Sequence, residues 1–202
     1  RIWLFTRLNP AGAVGAIVMI IIGAMTFVAP LVAFNDPTMF VATRYLGWFE
    51  SANDGGFLLL GSDHLGRDEF ARILEGGRVS LLVGFLAPLL GVAAGTLVGI
   101  VSAYFGGLVD LFLQRFVDVL LVLPGLVIVI VIASAFGFTM TVLIFALALF
   151  SAVNAVRIIR AHVLSVRESL YIEAQRSIGS SSLRIIILHL VPNTLPVSIV
   201  LV

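Results

Sequence analysis

Charge-free runs dominate this chain. They cover Ala11–Phe34, Val79–Val109 and Val119–Val156, and a further apolar run opens at Leu195. A membrane-crossing helix needs about 20 such residues. The first two runs each supply one span. The first is too long for the apolar region of a cleaved signal peptide, and no small-residue cleavage site follows it. The third is too long for one span and is interrupted at Phe136-Gly137-Phe138-Thr139, which predicts a tight hairpin between a third and a fourth helix. Pro30, Pro88 and Pro124-Gly125 mark expected bends. The run from Leu195 is too short to cross alone. With a start at Arg1 and no Met, this suggests that the chain is incomplete at both ends. The expected fold is an all-α, polytopic membrane protein with about five spans, the last truncated.

One span carries a second pattern. Ala87, Gly91, Gly95, Gly99 and Ala103 recur every four residues. Small residues at that spacing let two helix backbones approach closely in lipid, where packing drives association. Gly91, Gly95 and Gly99 are therefore candidate helix-packing positions.

The polar stretches set the orientation. Residues 35–78 hold Asp36, Glu50, Asp54, Asp63, Asp68, Glu69 and Glu75 against Arg44, Arg67, Arg72 and Arg78. Asn53-Asp54-Gly55-Gly56 is a turn signal, and Trp48 and Phe49 suit a membrane interface. Arg157, Arg160, Arg167, Arg176 and Arg184 follow the fourth span, and Arg1 and Arg7 precede the first. The positive-inside rule places those segments and the N-terminus in the cytoplasm, and loop 35–78 outside. Arg115 and Asp118, three apart, are expected to pair on one helix face.

Composition agrees. The chain is 60% hydrophobic and 11% charged, with mean hydropathy +1.17; soluble domains carry about twice that charge fraction. The net charge of +1 gives no reason to expect a nucleic-acid partner. All basic residues are Arg, and the absence of Cys rules out disulfides and Cys-ligated metals.

Two stretches carry chemistry. Leu170–Ile178 reads as a short helix with Glu173 in its first half, where the helix dipole favours an acid. Gly179 is its expected end, Ser180, Ser181 and Ser182 are candidate caps for a helix over Leu183–Leu190, and Pro192 predicts a break or kink. The order Glu173-Ala174-Gln175-Arg176-Ser177-Ile178-Gly179, closing on His189-Leu190-Val191-Pro192-Asn193, resembles the EAA loop of ABC-importer permeases, the segment that touches the ATPase. Far upstream, Gly61-Ser62-Asp63-His64-Leu65-Gly66-Arg67-Asp68 leads through Arg72 to Gly77-Arg78-Val79-Ser80. It resembles the Gly-Thr-Asp-x-x-Gly-Arg-Asp segment of the C-type permease subunit in the dipeptide/oligopeptide/nickel family. Ser62 replaces Thr, Ala71 stands where Ser is usual, Gly77 where Ala is usual, and Gln175 where a small Ala is usual.

The resemblance covers nearly the whole chain and implies a single type I ABC-importer transmembrane domain over 1–202, with an outward-facing loop 35–78 and a cytoplasmic coupling loop 163–192. It implies ATPase-coupling roles for Tyr171, Glu173, Ala174, Gly179 and Pro192, and an outer-loop motif of Gly61, Asp63, Gly66, Arg67 and Asp68. The implied partners are a homologous B-type permease, two ATPase domains, an extracytoplasmic solute-binding protein and the lipid bilayer of a bacterial or archaeal cell membrane. No cofactor is expected in this chain, since ATP and Mg belong to the ATPases. The chain has no phosphate-binding loop and no Lys to build one, so it is read as a translocation subunit and not an enzyme. Di- or oligopeptides or nickel are the implied substrates. Ser134, Thr139, Thr141, Ser151 and Asn154 are candidate polar residues of the pathway.

Asp63, Arg67, Asp68 and Arg72 have two readings, a contact at the outer mouth or a local network that orders the approach to the second span; the network is favoured. A metal site at Asp63, His64 and Asp68 is disfavoured by its spacing and by the adjacent Arg residues. The alternative function is a self-contained secondary transporter or channel. Such proteins carry ionisable residues within their spans, and the charge-free runs here lack them. An intramembrane enzyme is weaker still, because His162 and His189 have no acid or nucleophile partner in the sequence and read as interfacial polar residues.

Overall fold

The computed structural model describes residues 10–32, 35–53 and 55–202. Arg1–Arg7, Phe34 and Asp54 of the turn signal lie outside the described residues, as does the side chain of Pro30. The chain divides into two compact units, Arg1–Leu82 and Val83–Val202. Among the described residues, four helices are long and apolar enough to cross a membrane, or five if one bent pair counts as a span.

Unit one holds helix α1, Pro10–Val32, and a polar loop. Within α1 Thr26 is buried. It bonds its own helix at Ile22 O (3.0 Å) and Gly23 O. Its γ-methyl sits where a Cβ on Gly77 would be, 2.6 Å away. The departure from Ala at position 77 thus has a steric reason. Among the described residues the loop has no strand, only isolated bridges Ser51–Phe57 and Ser62–Asp68. It ends earlier than the charge pattern suggested. Asp68 accepts from the N–H groups of Phe70 and Ala71 at 2.9 and 3.2 Å, which starts helix α2 at Glu69. Residues 69–78 are helical despite their charge.

Helix α2 runs Glu69–Phe105, about 55 Å at 1.5 Å per residue. Pro88 lies inside it without ending it. Gly106 and Gly107 end it, both at positive φ (64° and 54°). In unit two, α3 (Gly107–Val122) and α4 (Gly125–Phe136) meet at 89° across Leu123-Pro124. Leu123 is extended there, as a residue before proline prefers. Gly137 turns the chain at φ 95°, and Thr139 caps α5, Met140–Arg167. The hairpin falls where the sequence placed it, although α5 continues through Arg157 and Arg160 to Arg167.

The glycine face of α2 lies on α5. A Cβ on Gly91 would meet Ala148 O at 2.3 Å, one on Gly95 would meet Ala152 O at 2.5 Å, and one on Gly99 would meet Val156 O at 3.0 Å. Ala87 and Ala103 extend the buried edge. Only residues without side chains allow backbones this close.

Four short elements finish the chain. Helix α6 spans Leu170–Ser177 and α7 Ser182–Ile185; a π turn, Ile186–Leu190, leads into α8, Val191–Leu201. Of the break or kink expected at Pro192, the break does not occur. Pro192 occupies the first turn of α8, and the turn before it widens so that Val191 N–H reaches back to Ile186 O. Widening accommodates the missing N–H and the ring without ending the helix. Ser182–Leu201 consequently forms one 20-residue candidate span. One core joins Ile100, Ala103 and Tyr104 of α2, Ile159 and Val163 of α5, Ile172 of α6, and Ile185 and Leu190. A buried hydroxyl pair, Thr96 and Ser198 at 2.9 Å, ties α2 to α8.

The glycine contact gives a test. Gly95→Leu forces a side chain into Ala152 and Ala155, and should cost stability by about 1–3 kcal/mol or more. Leu97 is 63% exposed, so Leu97→Ala should change it by only about 0.5 kcal/mol. Thermal unfolding of the purified variants in one detergent compares them. Equal tolerance would show that the close approach is incidental.

Candidate functional site

Helix α6 is short, so tertiary contacts must hold it. Ile172 is fully buried in the core just described. Arg176 lies over the Tyr104 ring at 5.4 Å, within cation–π range. The other face is open. Leu170, Glu173, Ala174 and Ser177 are exposed, and so is Ile178 beyond the last turn. At 100° per residue they share one side of the helix, away from Ile172.

The turn behind α6 is a Schellman motif. Ser180 N–H donates to Gln175 O and Gly179 N–H to Arg176 O, both at 3.0 Å. Gly179 takes φ 78°. Apart from Gly179 and its chain neighbours, no atom lies within 4 Å of the position a Cβ would occupy there, so the constraint is conformational and not steric. Gln175 adds a bond of its own, accepting from the Ser180 hydroxyl at 2.8 Å. Ser181 then caps α7 through Arg184 N–H. Tyr171 points its hydroxyl to Asn193 at 3.1 Å. Pro192 adjoins that asparagine.

Beside α6, Arg167 donates to the carbonyls of Ala103 (2.7 Å) and Tyr104 (3.3 Å). It satisfies carbonyls that the end of α2 leaves without helical donors. The pairing expected of Arg115 with Asp118 is absent among the described ion pairs. Asp118 instead pairs with Arg157 at 2.5 Å, across to α5. Asp110 receives a two-pronged contact from Arg160, Nε and Nη2 each at 2.6 Å. Ser102 donates to the same carboxylate at 2.5 Å and accepts from Gln114 at 2.9 Å.

In unit one, Asp63 is the hub of the loop motif. Its Oδ1 accepts from the N–H groups of Leu65 and Arg67, and its Oδ2 from the Arg67 guanidinium and from Arg72. Burial alone would push the Asp63 carboxyl up. The backbone donors of Arg67 and Leu65 and the Arg67 guanidinium together outweigh it and hold the carboxyl well below the usual range. Gly61 and Gly66 sit at φ 81°; a Cβ on either would lie about 2 Å from a carbonyl, Leu46 O at 2.1 Å or Ala42 O at 2.2 Å. The Ser62 hydroxyl donates to Thr43 O and accepts from Leu46 N–H, the work a Thr hydroxyl would also do. Asp68 caps α2 and accepts from Asn35. Asp63, Arg67 and Arg72 form one network, with Asp68 at the start of the helix that follows. His64 takes no part in these contacts.

Residues 95–202 match the family described as "Binding-protein-dependent transport system inner membrane component". That is more than half of the chain. This chain belongs to that family. Its all-α, multi-span fold is the type I importer transmembrane domain. The dipeptide transport system permease protein DppC of Haemophilus influenzae is 32% identical over 196 residues, covering 96% of this chain and 66% of the relative. The glutathione transport system permease protein GsiD of Pectobacterium atrosepticum is 32% identical over 190 residues, covering 94% and 62%. GsiD of an Escherichia coli strain is 34% identical over 148 residues, covering 72% and 49%. The chain therefore spans less than two thirds of the length of these relatives.

In this inner membrane component, α6 and the Asp63 network belong to different units. The sequence reading missed three things. It placed Arg157 and Arg160 by charge alone, without their partners on α3. It found no acid or nucleophile for His162 and His189 and did not foresee that both meet Asn193. It overlooked Ile172, the residue that anchors α6. The available signal was weak, since Ile172 is one of several apolar residues in Leu170–Ser177.

The Asp63 network predicts a pH signature. A lowered pKa means the contribution is fully present above the ordinary carboxylate pKa of about 4, and is withdrawn as pH falls through the lowered value. Hydrogen-exchange protection of the Leu65 and Arg67 amides, corrected for intrinsic rate, should hold from pH 7 down to about 4. Asp63→Ala should abolish it at every pH. Protection that survives Asp63→Ala would show that the backbone alone holds the loop.

Proposed function

We propose that this chain is the membrane-spanning permease subunit of a binding-protein-dependent ABC importer. The observation that carries this reading is the open face of α6, with Leu170, Glu173, Ala174 and Ile178 exposed beside a buried Ile172. A short helix anchored on one side and apolar-acidic on the other is suited to dock in a cleft of a partner ATPase. Because Ile172 sits in a core shared with α2 and α5, a push on α6 is delivered to two long helices. ATP and Mg stay on the ATPase subunits. A homologous B-type permease forms the other half of the pathway, and a solute-binding protein delivers substrate to the outer side, where loop 35–68 and the start of α2 lie. The N-terminus and α6 are cytoplasmic.

The substrate class is short peptides, since the named relatives serve dipeptide and glutathione systems. The nickel reading rests on the wider family resemblance alone. Ser134, Thr139, Thr141, Ser151 and Asn154 remain candidate pathway residues. Three already have local duties: Thr139 caps α5, Asn154 bonds Phe150 O, and Ser151 lies against Gly91. A secondary transporter uses unpaired ionisable groups within its spans, whereas Asp110 and Asp118 are engaged by Arg160 and Arg157.

Two experiments test this. With no native Cys, Asn53→Cys should react with an impermeant thiol reagent from outside intact cells, and Ser180→Cys only after permeabilisation. The reverse pattern would refute the orientation. Gly179→Val forces a β-branched residue into a left-handed backbone, at roughly 1–3 kcal/mol. It should leave membrane abundance intact while lowering ATP-driven uptake and the amount of co-purified ATPase, with Glu173→Ala acting the same way more mildly. Full uptake with a normal ATPase complement in Gly179→Val would sink the coupling role of α6.

A further inference from the structure

Asn193 stands where three helices meet. Its side-chain amide donates to the Tyr171 hydroxyl on α6 at 3.1 Å and to the His189 carbonyl at 2.8 Å. Its own carbonyl lies 3.2 Å from Nε2 of His162 on α5. A carbonyl only accepts, so this partner places the imidazole proton on Nε2. The rings of Tyr171 and His189 meet edge-on, centroids 6.0 Å apart.

The π turn produces this arrangement. One extra residue in a turn sets everything after it back by about 100° around the axis relative to an unbroken α-helix. Asn193 follows the widened turn by three residues, and its bearing toward α6 depends on that offset. Its second N–H meanwhile satisfies a carbonyl of the turn itself.

The geometry of α6 shows why the contact matters. Ile172 fixes the depth of the helix in the core, but a single apolar plug is a pivot and does not stop the helix rolling. Tyr171 and Arg176 lie on opposite sides of Ile172, about 100° and 40° around the axis. Arg176 is tied to Tyr104 on one side, and Tyr171 to Asn193 on the other. Three points fix an orientation; two do not.

We propose that Asn193 is a positioning residue that sets the roll of α6 against α5 and α8 through the Tyr171 hydroxyl. It makes the angle of the open face a property of the membrane helices. The functional consequence rests on the docking role proposed for α6, but the structural claim does not.

The test uses a spin-label pair on the exposed Ser165→Cys of α5 and Ser177→Cys of α6, in the protein purified from membranes into lipid nanodiscs. The unmutated pair should give a narrow distance distribution. Tyr171→Phe, which keeps the ring and loses only the hydroxyl, should widen it about twofold, and Asn193→Ala should do the same. The double variant should widen it no further, because both remove one bond. Asn193→Asp should stay narrow, since the Tyr171 hydroxyl can donate to a carboxylate. An unchanged distribution in Tyr171→Phe, or widening that adds in the double variant, would overturn the proposal. In vesicles, Tyr171→Phe should lower uptake per ATP hydrolysed by about fivefold, the worth of one hydrogen bond, with the co-purified ATPase unchanged. Loss of ATPase in proportion to uptake would also overturn it, because Tyr171 would then be part of the docking face. The distance measurement needs no ATPase, so its failure is distinct from failure of the importer reading, which Gly179→Val tests.

Discussion

The close approach of α2 and α5 is the constraint on which unit two depends. In lipid, helices gain little by hiding apolar surface from each other, so backbone proximity and close packing must hold them. Gly91, Gly95 and Gly99 allow that approach against Ala148, Ala152 and Val156. The contact continues to the ends of both helices, where Ile100 and Ala103 meet Ile159 and Val163. There the pair makes a socket, and Ile172 fills it. The placement of an eight-residue helix is thus decided by glycines roughly seventy to eighty residues earlier in the chain.

The same constraint governs how helices end. A membrane helix cannot leave carbonyls or N–H groups unsatisfied cheaply. Here several irregularities have a local remedy. Arg167 covers the carbonyls at the end of α2. Thr139 caps the start of α5. The π turn accommodates Pro192, and Asn193 bonds the carbonyl of His189. The last remedy also turns a side chain toward α6, so a device that keeps one helix continuous supplies a tie for another.

Charge is handled by pairing. Asp110 and Asp118 of α3 meet Arg160 and Arg157 of α5, which fixes the first arm of the bent α3–α4 pair to the central helix. In unit one the same logic acts on a smaller scale, where Asp63 gathers two guanidinium groups and two backbone donors into the turn that leads to α2. A carboxylate satisfied this fully is more useful as a staple than as a ligand, in keeping with the network reading of that motif.

The sequence by itself determined the first, second and fourth spans, the hairpin at Gly137, the stop at Gly179 and the family. These are local matters: length of an apolar run, φ at a glycine, and the order of residues in two motifs. It also announced a packing face on α2, because a four-residue period is a property of one helix. It could not name the partner of that face. Charge counts made Arg157 and Arg160 signs of topology, since a positive residue looks the same whether it faces water or an aspartate fifty positions away. The sequence read Pro192 as a break or kink because propensity describes an isolated α-helix, whereas the folded chain widens one turn and continues. Only the tertiary structure decided which residue anchors α6, because Ile172 looks no different from Leu170 or Ile178 until α2 and α5 come together around it.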